Sequence, residues 1–416
     1  MTSLDTPVAP ATDPQDERLA APQGIGGNIR AAARRVRDGD LGMLPVVAGI
    51  VVIWTIFQAL NQTFLSSTNL VNLSFDMVPL GVIALGIVCV LLAGQIDLSV
   101  GSVSGVSAAT TAVVMVRYEQ PMVLAILVAV ASGCLIGWIY GQAFNRFGVP
   151  SFVVTLGGLL AFLGAQLWLL RGQNAINIPY DSALVKFAQV WFVPGWLSYL
   201  LAVAAAGGFL AVGWARSLRR RRAGLFSSSV QWLLAQSLLL LAVLLFAVYY
   251  LNRTRGVSWM FVLFVALVLG VHYTLGHTRF GRSIYAVGGN AEAARRAGID
   301  VPRVYTSAFV MCSGLAALGG ILFASRLAAA NQSTGTADVN LNAIAAAVIG
   351  GTSLFGGRGS AFAALLGVLV IQSISSGLTL LNLDSSYRFM ITGAVLLVAV
   401  ALDSAARRSR RAHGRG

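Results

Sequence analysis

Asp97 is the residue whose chemistry first needs an explanation. It lies in the run Leu92-Ala-Gly-Gln-Ile-Asp-Leu-Ser-Val-Gly-Ser-Val-Ser-Gly105, and apolar stretches close in on both sides with too little length between them for an ordinary loop. The carboxyl group is therefore expected at or near membrane depth, where an ionisable side chain costs about 2.5–3.5 kcal/mol and by default marks a functional site. Two compatible roles stay open. Asp97 can cap the following helix, because a carboxylate accepts hydrogen bonds from free backbone N–H groups at the positive helix end. It can also border a hydrophilic pathway with Gln95, Ser99 and Ser102, whose i, i+4, i+7 spacing would align them on one helix face.

A second segment, Ile349-Gly-Gly-Thr-Ser-Leu-Phe-Gly-Gly-Arg-Gly-Ser360, places five glycines close together. Each costs about 1 kcal/mol against Ala in a helix, so the backbone must turn here or approach another helix closely. Gly101, Gly350, Gly351, Thr352, Ser353, Gly356 and Gly357 join Gln95, Asp97, Ser99 and Ser102 as expected pathway or helix-break residues. Arg358 reads as a marker of the cytoplasmic edge. The echo between GQIDLSVGS and GGTSLFGGRGS is a weak hint of duplicated halves.

The longest charged loop between apolar runs, residues 276–304, has the marks of a short autonomous helix from Ala291 to Ala297. Asn290 suits the N-cap, Glu292 the positive first turn, Arg295 and Arg296 the last turn, and Gly298 the stop. Seven residues make about 10 Å of helix, too short to persist alone in water. It needs something to pack on, either a partner or the protein's own cytoplasmic face. Ala291, Ala293, Ala294 and Ala297 would allow close approach.

Other chemistries find no footing. A phosphate-binding GxxxxGK[ST] loop needs a lysine, and the only one, Lys186, follows Ala-Leu-Val. His272, His277 and His413 are scattered and form no HExxH zinc motif, and Cys89, Cys134 and Cys312 lie inside apolar runs where they read as packing residues. The GIGG of residues 24–27 has no strand before it, and no Ser/His/Asp or paired-carboxylate arrangement is legible. The net charge of +14 is spread in short clusters between apolar runs, which argues against nucleic acid.

These residues must be positioned by membrane helices. The chain has 416 residues, of which 57% are hydrophobic and 11% charged, whereas a soluble domain carries about 25% charged residues. Spans of about 20 residues are expected at 43–60, 78–93, 100–116, 121–140, 151–170, 196–214, 230–251, 258–275 and 305–328, then a short Gly-rich 341–356, then 360–382 and 389–402. The expected fold class is all-α and polytopic, with about twelve transmembrane helices and one or two interrupted segments. Twelve crossings from a cytoplasmic N-terminus leave 22 of the 29 Lys and Arg inside, as the positive-inside rule requires. Residues 1–42 read as a disordered cytoplasmic tail, 404–416 as a basic one, and 216–229 as a basic anchor at the membrane surface.

The strings LLAGQIDLSVGSVSG, GRSIYAVGGNAEAARRAGI and VIGGTSLFGGRGS, taken together and in this order, resemble the permease subunits of bacterial ABC sugar importers, the ribose/xylose/galactose permease family. The resemblance runs from about residue 43 to 403, the transmembrane permease domain. Family members have a ten-span core. Here an inserted pair, 196–251, followed by Asn252-Arg253-Thr254-Arg255-Gly256, is most similar to the xylose-type branch.

The resemblance implies a permease without an ATPase site of its own and without a cofactor, in the bacterial inner membrane with both termini cytoplasmic. A separate ATPase subunit would use ATP and Mg, an extracytoplasmic sugar-binding protein would deliver the sugar, and a second copy would complete a homodimer within membrane lipid. Carried over position by position, Gly288, Gly289, Asn290, Ala291, Glu292, Ala293 and Ala294, with Arg295 and Gly298 after them, correspond to the helix that couples to the ATPase, and 276–304 to its loop. The competing expectation is a cation-coupled secondary transporter using Asp97. Which sugar is carried is not written in the permease sequence.

Overall fold

The computed structural model describes residues 43–223 and 230–412. The expected tail 1–42, residues 224–229 of the basic anchor and residues 413–416 of the basic tail lie outside them. The described chain is almost entirely helical. Helix α1 spans Leu44–Leu60, α2 Ser67–Leu92, α3 Val100–Ala112 with a π-helical turn to Arg117, α4 Met122–Phe147 and α5 Ser151–Leu170. After strand β1, Ala175–Asn177, and the short α6, Ala183–Gln189, come α7 Gly195–Arg222, α8 Val230–Leu251 and α9 Trp259–His277. The charged loop folds into α10 Arg279–Gly289 and α11 Ala291–Arg296. Helix α12 Val301–Leu327, β2 Ala329–Asn331, α13 Ala337–Ile349, α14 Phe362–Leu380 and α15 Ser385–Ala412 complete the chain.

Nine described helices are long and apolar enough to cross a membrane. The other three expected spans are shorter apolar helices, Leu44–Leu60, Asp338–Ile349 and Ser386–Val398. Helix length therefore establishes a polytopic membrane protein with nine candidate crossings. Local signals account for many helix ends: the Ser66 hydroxyl accepts from Asn69 N at the start of α2, Pro150 precedes α5, and Gly148 ends α4 in the left-handed conformation that glycine adopts freely.

The described residues fall into two compact units. One comprises the described residues of Pro194–Tyr250, in α7 and α8; the other comprises 43–193 and 251–412. In the larger unit α2 is the central element, 94% buried over its most apolar stretch. Helix α12 packs along α4, α2 and α3. Small residues set the spacing: a Cβ on Gly137 or Gly141 of α4 would clash with the α12 backbone at Phe309 and Thr306. In lipid, where apolar burial gives little drive between helices, this close approach supplies the packing energy.

The β1–β2 ribbon departs from a purely helical expectation. It pairs antiparallel with Ile176 opposite Ala330 and joins the segments after α5 and α12. Three residues per strand leave too little pattern to be read from sequence.

Candidate translocation and docking site

Helix α2 ends in a Schellman motif. Gly94 sits at φ +76°, its N–H donates to Leu91 O at 2.8 Å, and Gln95 N–H donates to Val90 O at 3.1 Å. Residues 93–99 then run without helix until α3 starts at Val100. Irregular backbone at this depth requires internal partners, and α5 provides them: Ser151 Oγ accepts from Ile96 N at 3.4 Å and Thr155 Oγ1 from Leu98 N at 3.1 Å.

Asp97 is fully buried. Its Oδ1 accepts from both the N–H and the hydroxyl of Ser99, at 2.8 and 2.7 Å. Ser99 is itself the N-cap of α3 and makes no side-chain capping bond. Asp97 thus shapes the turn before the helix, through the N-cap residue, rather than binding the first-turn N–H groups. Its carboxyl is buried beside Cys312, and the nearby Tyr140 hydroxyl is buried beside Ser99. The expected single helix face of Gln95, Ser99 and Ser102 does not form. Helical periodicity cannot run through the turn at Gly94 and the irregular residues after it, so Gln95 lies outside the helix that carries Ser102.

The start of α3 is held from the second segment. Gly101 N donates to Asn340 Oδ1 of α13. Gly101 and Gly105 present a surface without side chains, where a Cβ would meet Asn340, the Gly335 and Thr334 carbonyls and Gln166. Gln166 of α5 donates through Nε2 to Asn331 O and Thr334 O at 2.9 and 2.8 Å, fixing the loop that leads into α13. Ser102, also fully buried, donates to Ser99 O at 2.8 Å.

Helix α13 ends as α2 does. Gly351 at φ +101° donates to Val348 O, and Thr352 N donates to Ala347 O at 3.0 Å. Gly350 is the C-cap. The turn continues with Gly356 and Gly357 at φ +84° and +70°, and Ser353 N donates to Arg358 O at 2.9 Å.

The charged loop gives a third instance. The Asn290 side chain caps α11 by accepting from Ala293 N at 2.9 Å. Gly298, at φ +81°, and Ile299 close the other end on Arg295 O and Ala294 O. The helix stops at Arg296, one residue earlier than expected, with Ala297 as its C-cap. Ala294 is buried against its own chain, whereas Ala293 and Ala297 are exposed. Glu292 pairs with Arg295 and Arg296 at 3.4 and 3.2 Å; with all three side chains more than half exposed, such pairs contribute at most about 1 kcal/mol.

These three segments meet. Gly357 N donates to Leu92 O, the last carbonyl of α2, at 2.9 Å. A Cβ on Gly288 would overlap that same oxygen, one on Gly356 would stand 2.6 Å from Gly288 O and 2.8 Å from Gly94 Cα, and one on Gly357 would stand 2.9 Å from Gly289 Cα. Tyr285 of α10 donates its hydroxyl to Gly359 O at 2.9 Å. Gly94, Gly288, Gly289, Gly356 and Gly357, from three separate motifs, therefore form one backbone junction.

Several residues of the site carried no sequence signal. Asn340, Gln166 and Tyr285 act on partners far along the chain. Asp76, expected just outside a span, lies within α2, which begins at Ser67 rather than near 78. It accepts from both Nη2 and Nε of Arg326 at 3.1 Å, and Arg326 also stacks 5.3 Å from the Phe75 ring centroid. Asp76 is thus an acid on a helix long and apolar enough to cross a membrane.

The sequence of this helical chain has relatives among known proteins. Residues 69–400 match the family described as branched-chain amino acid transport system / permease component. The chain belongs to this permease family. The permease is 33% identical over 398 residues to the xylose transport system permease protein XylH of Escherichia coli K12, covering 95% of this chain and 99% of that one. It is 32% identical to the probable ABC transporter permease protein YphD of the same organism, covering 92% and 94%. It is 31% identical to the ribose import permease protein RbsC of Bacillus subtilis, covering 88% and 94%. No solved structure matches the permease.

Proposed function

We propose that the permease forms the translocation pathway of an ATP-driven importer for a monosaccharide, xylose or a related sugar. The observation that carries this reading is that Gly288 and Gly289, which lead directly into the capped helix α11, meet both interrupted segments at one junction. A chain without a phosphate-binding loop of its own needs such a place for an outside energy source to act. The sugar follows from the relatives, whose names specify xylose and ribose and whose lengths the permease covers almost completely.

In this reading two copies of the permease enclose the path, each with twelve crossings and both termini cytoplasmic. An extracytoplasmic binding protein brings the sugar, and a separate ATPase subunit docks on α11. ATP drives transport to the extent that it binds the outward-facing and inward-facing states with different affinity. The pathway residues are drawn from the breaks around Asp97 and Gly351. The rival, cation-coupled reading is weakened because the second acid, Asp76, is already occupied by Arg326.

The test is uptake of labelled xylose, ribose and galactose in cells lacking this gene and in the same cells complemented with it. Loss and restoration of xylose uptake, abolished by ATP depletion and insensitive to ionophores, is the expected result. Uptake that follows a cation gradient in ATP-depleted vesicles would overturn it.

A further inference from the structure

We propose that the glycine junction is the joint through which movement of α11 reaches the pathway, with Tyr285 as its positioning residue; this rests on α11 being where the ATPase docks. Gly289 immediately precedes Asn290, the N-cap of α11, so a displacement of α11 is delivered to the junction without an intervening side chain. At the junction the contacts are backbone against backbone. Gly288 abuts Leu92 O, Gly356 abuts Gly288 O and Gly94, and Gly357 both abuts Gly289 and donates to Leu92 O. Side chains absorb small displacements by changing rotamer, whereas close-packed backbones move together or separate.

Two routes leave the junction and both end at the start of α3. The first runs from Gly94 along residues 95–98 to Asp97, which holds Ser99 through two hydrogen bonds. The second runs back through the Gly-rich turn into α13, whose Asn340 holds Gly101 N. A shift of α10 and α11 therefore acts on the first turn of α3 from two sides at once. Tyr285 ties α10 to the same Gly-rich turn at Gly359, outside both the docking helix and the breaks. Nothing in the sequence motifs marks it for this task.

The test uses the permease assembled with its ATPase and binding protein in proteoliposomes and reads sugar transported per ATP hydrolysed. Tyr285→Phe removes one hydrogen bond and leaves the ring in place; it is expected to lower this ratio about threefold to tenfold, the range that one hydrogen bond spans, while the ATPase co-purifies at wild-type stoichiometry. Gly357→Ala, strained at its positive φ and crowding Gly289, is expected to lower the ratio about tenfold or more. A merely structural role would reduce uptake and hydrolysis in proportion and leave the ratio unchanged. A wild-type ratio in both variants overturns the proposal, as does loss of co-purification in Tyr285→Phe, which would place that residue in docking. If Gly357→Ala fails to insert, the ratio in Tyr285→Phe decides alone. Failure of the functional reading itself looks different: the wild-type permease would neither recruit an ATPase nor transport sugar.

Discussion

The break between α2 and α3 is secured by glycine backbones at one end and by glycine backbones with added side-chain hydrogen bonds at the other. At the α2 end, Leu92 and Gly94 are held by the backbones of Gly288, Gly356 and Gly357, with no side chain at the contact. At the α3 end the backbones of Gly101 and Gly105 likewise lie against Gly335, but residues 96–101 are also held by side chains: Ser151 and Thr155 from α5, Asp97 within the segment and Asn340 from α13. The first arrangement is steric and excludes any added carbon. The second adds polar contacts that require acceptor atoms in place, so Asp97 and Asn340 tolerate exchanges that keep those atoms.

Substitutions can break or sharpen this contrast. The largest effect is expected from Gly288→Val at the steric end. Its Cβ would overlap a backbone oxygen that cannot rotate away, and overpacking of this kind costs about 1–3 kcal/mol or more. The amount of folded permease in the membrane and its thermal midpoint should both fall. Full retention of both would show that the junction can open and would remove the steric half of the comparison.

At the polar end Asp97→Ala and Asp97→Asn separate shape from charge. Asn keeps an oxygen for Ser99 N, whereas Ala leaves that N–H buried without its acceptor, a loss of about 1–3 kcal/mol. Sugar uptake should drop about tenfold or more in Ala and be largely kept in Asn. Complete loss in Asn at normal membrane levels would assign the charge itself a role in transport. Asn340→Ala is expected to lower thermal stability by about 1–2 kcal/mol because Gly101 N loses its partner, with Asn340→Asp closer to wild type. Equal midpoints for Asn340→Ala and wild type would mean that Gly101 does not depend on α13.

The smallest change in stability belongs to the exposed loop. Glu292→Gln removes two surface ion pairs and should move the thermal midpoint by no more than about 0.5 kcal/mol equivalent. Glu292→Arg should also leave insertion intact, yet abolish ATPase stimulation by the binding protein if α11 is the docking helix. Wild-type stimulation in that variant would remove α11 from the coupling route.

Local features were the most legible part of this protein. Asn290, Glu292 and Gly298 announce a short capped helix because capping is decided within a few residues, and Asn290 does cap α11. The turn in 350–360 is readable because clustered glycines disfavour helix, and the break after Leu92 because the flanking apolar runs leave too little length for an ordinary loop. Two readings failed for identifiable reasons. The face of Gln95, Ser99 and Ser102 assumed a helix across a segment where the chain is irregular. The expected span 78–93 begins after Asn69, Asn72 and Asp76 because polar residues end a hydropathy run, although α2 runs through them. The Asp76 partner Arg326 lies 250 residues further along the chain, on α12.

By itself the amino-acid order determined that this chain lives in a membrane, where its helices break and which short helix stands apart. Those properties depend on the apolar content of a run and on the conformational freedom of single residues, both of which are local. Only the tertiary structure decided that Gly94, Gly288 and Gly356–Gly357 are one junction and that Asn340 caps the start of α3. Contacts between backbones without side chains leave no complementary pattern in the residues that make them. A lone Asn or Gln likewise carries no mark of a partner dozens to hundreds of residues away.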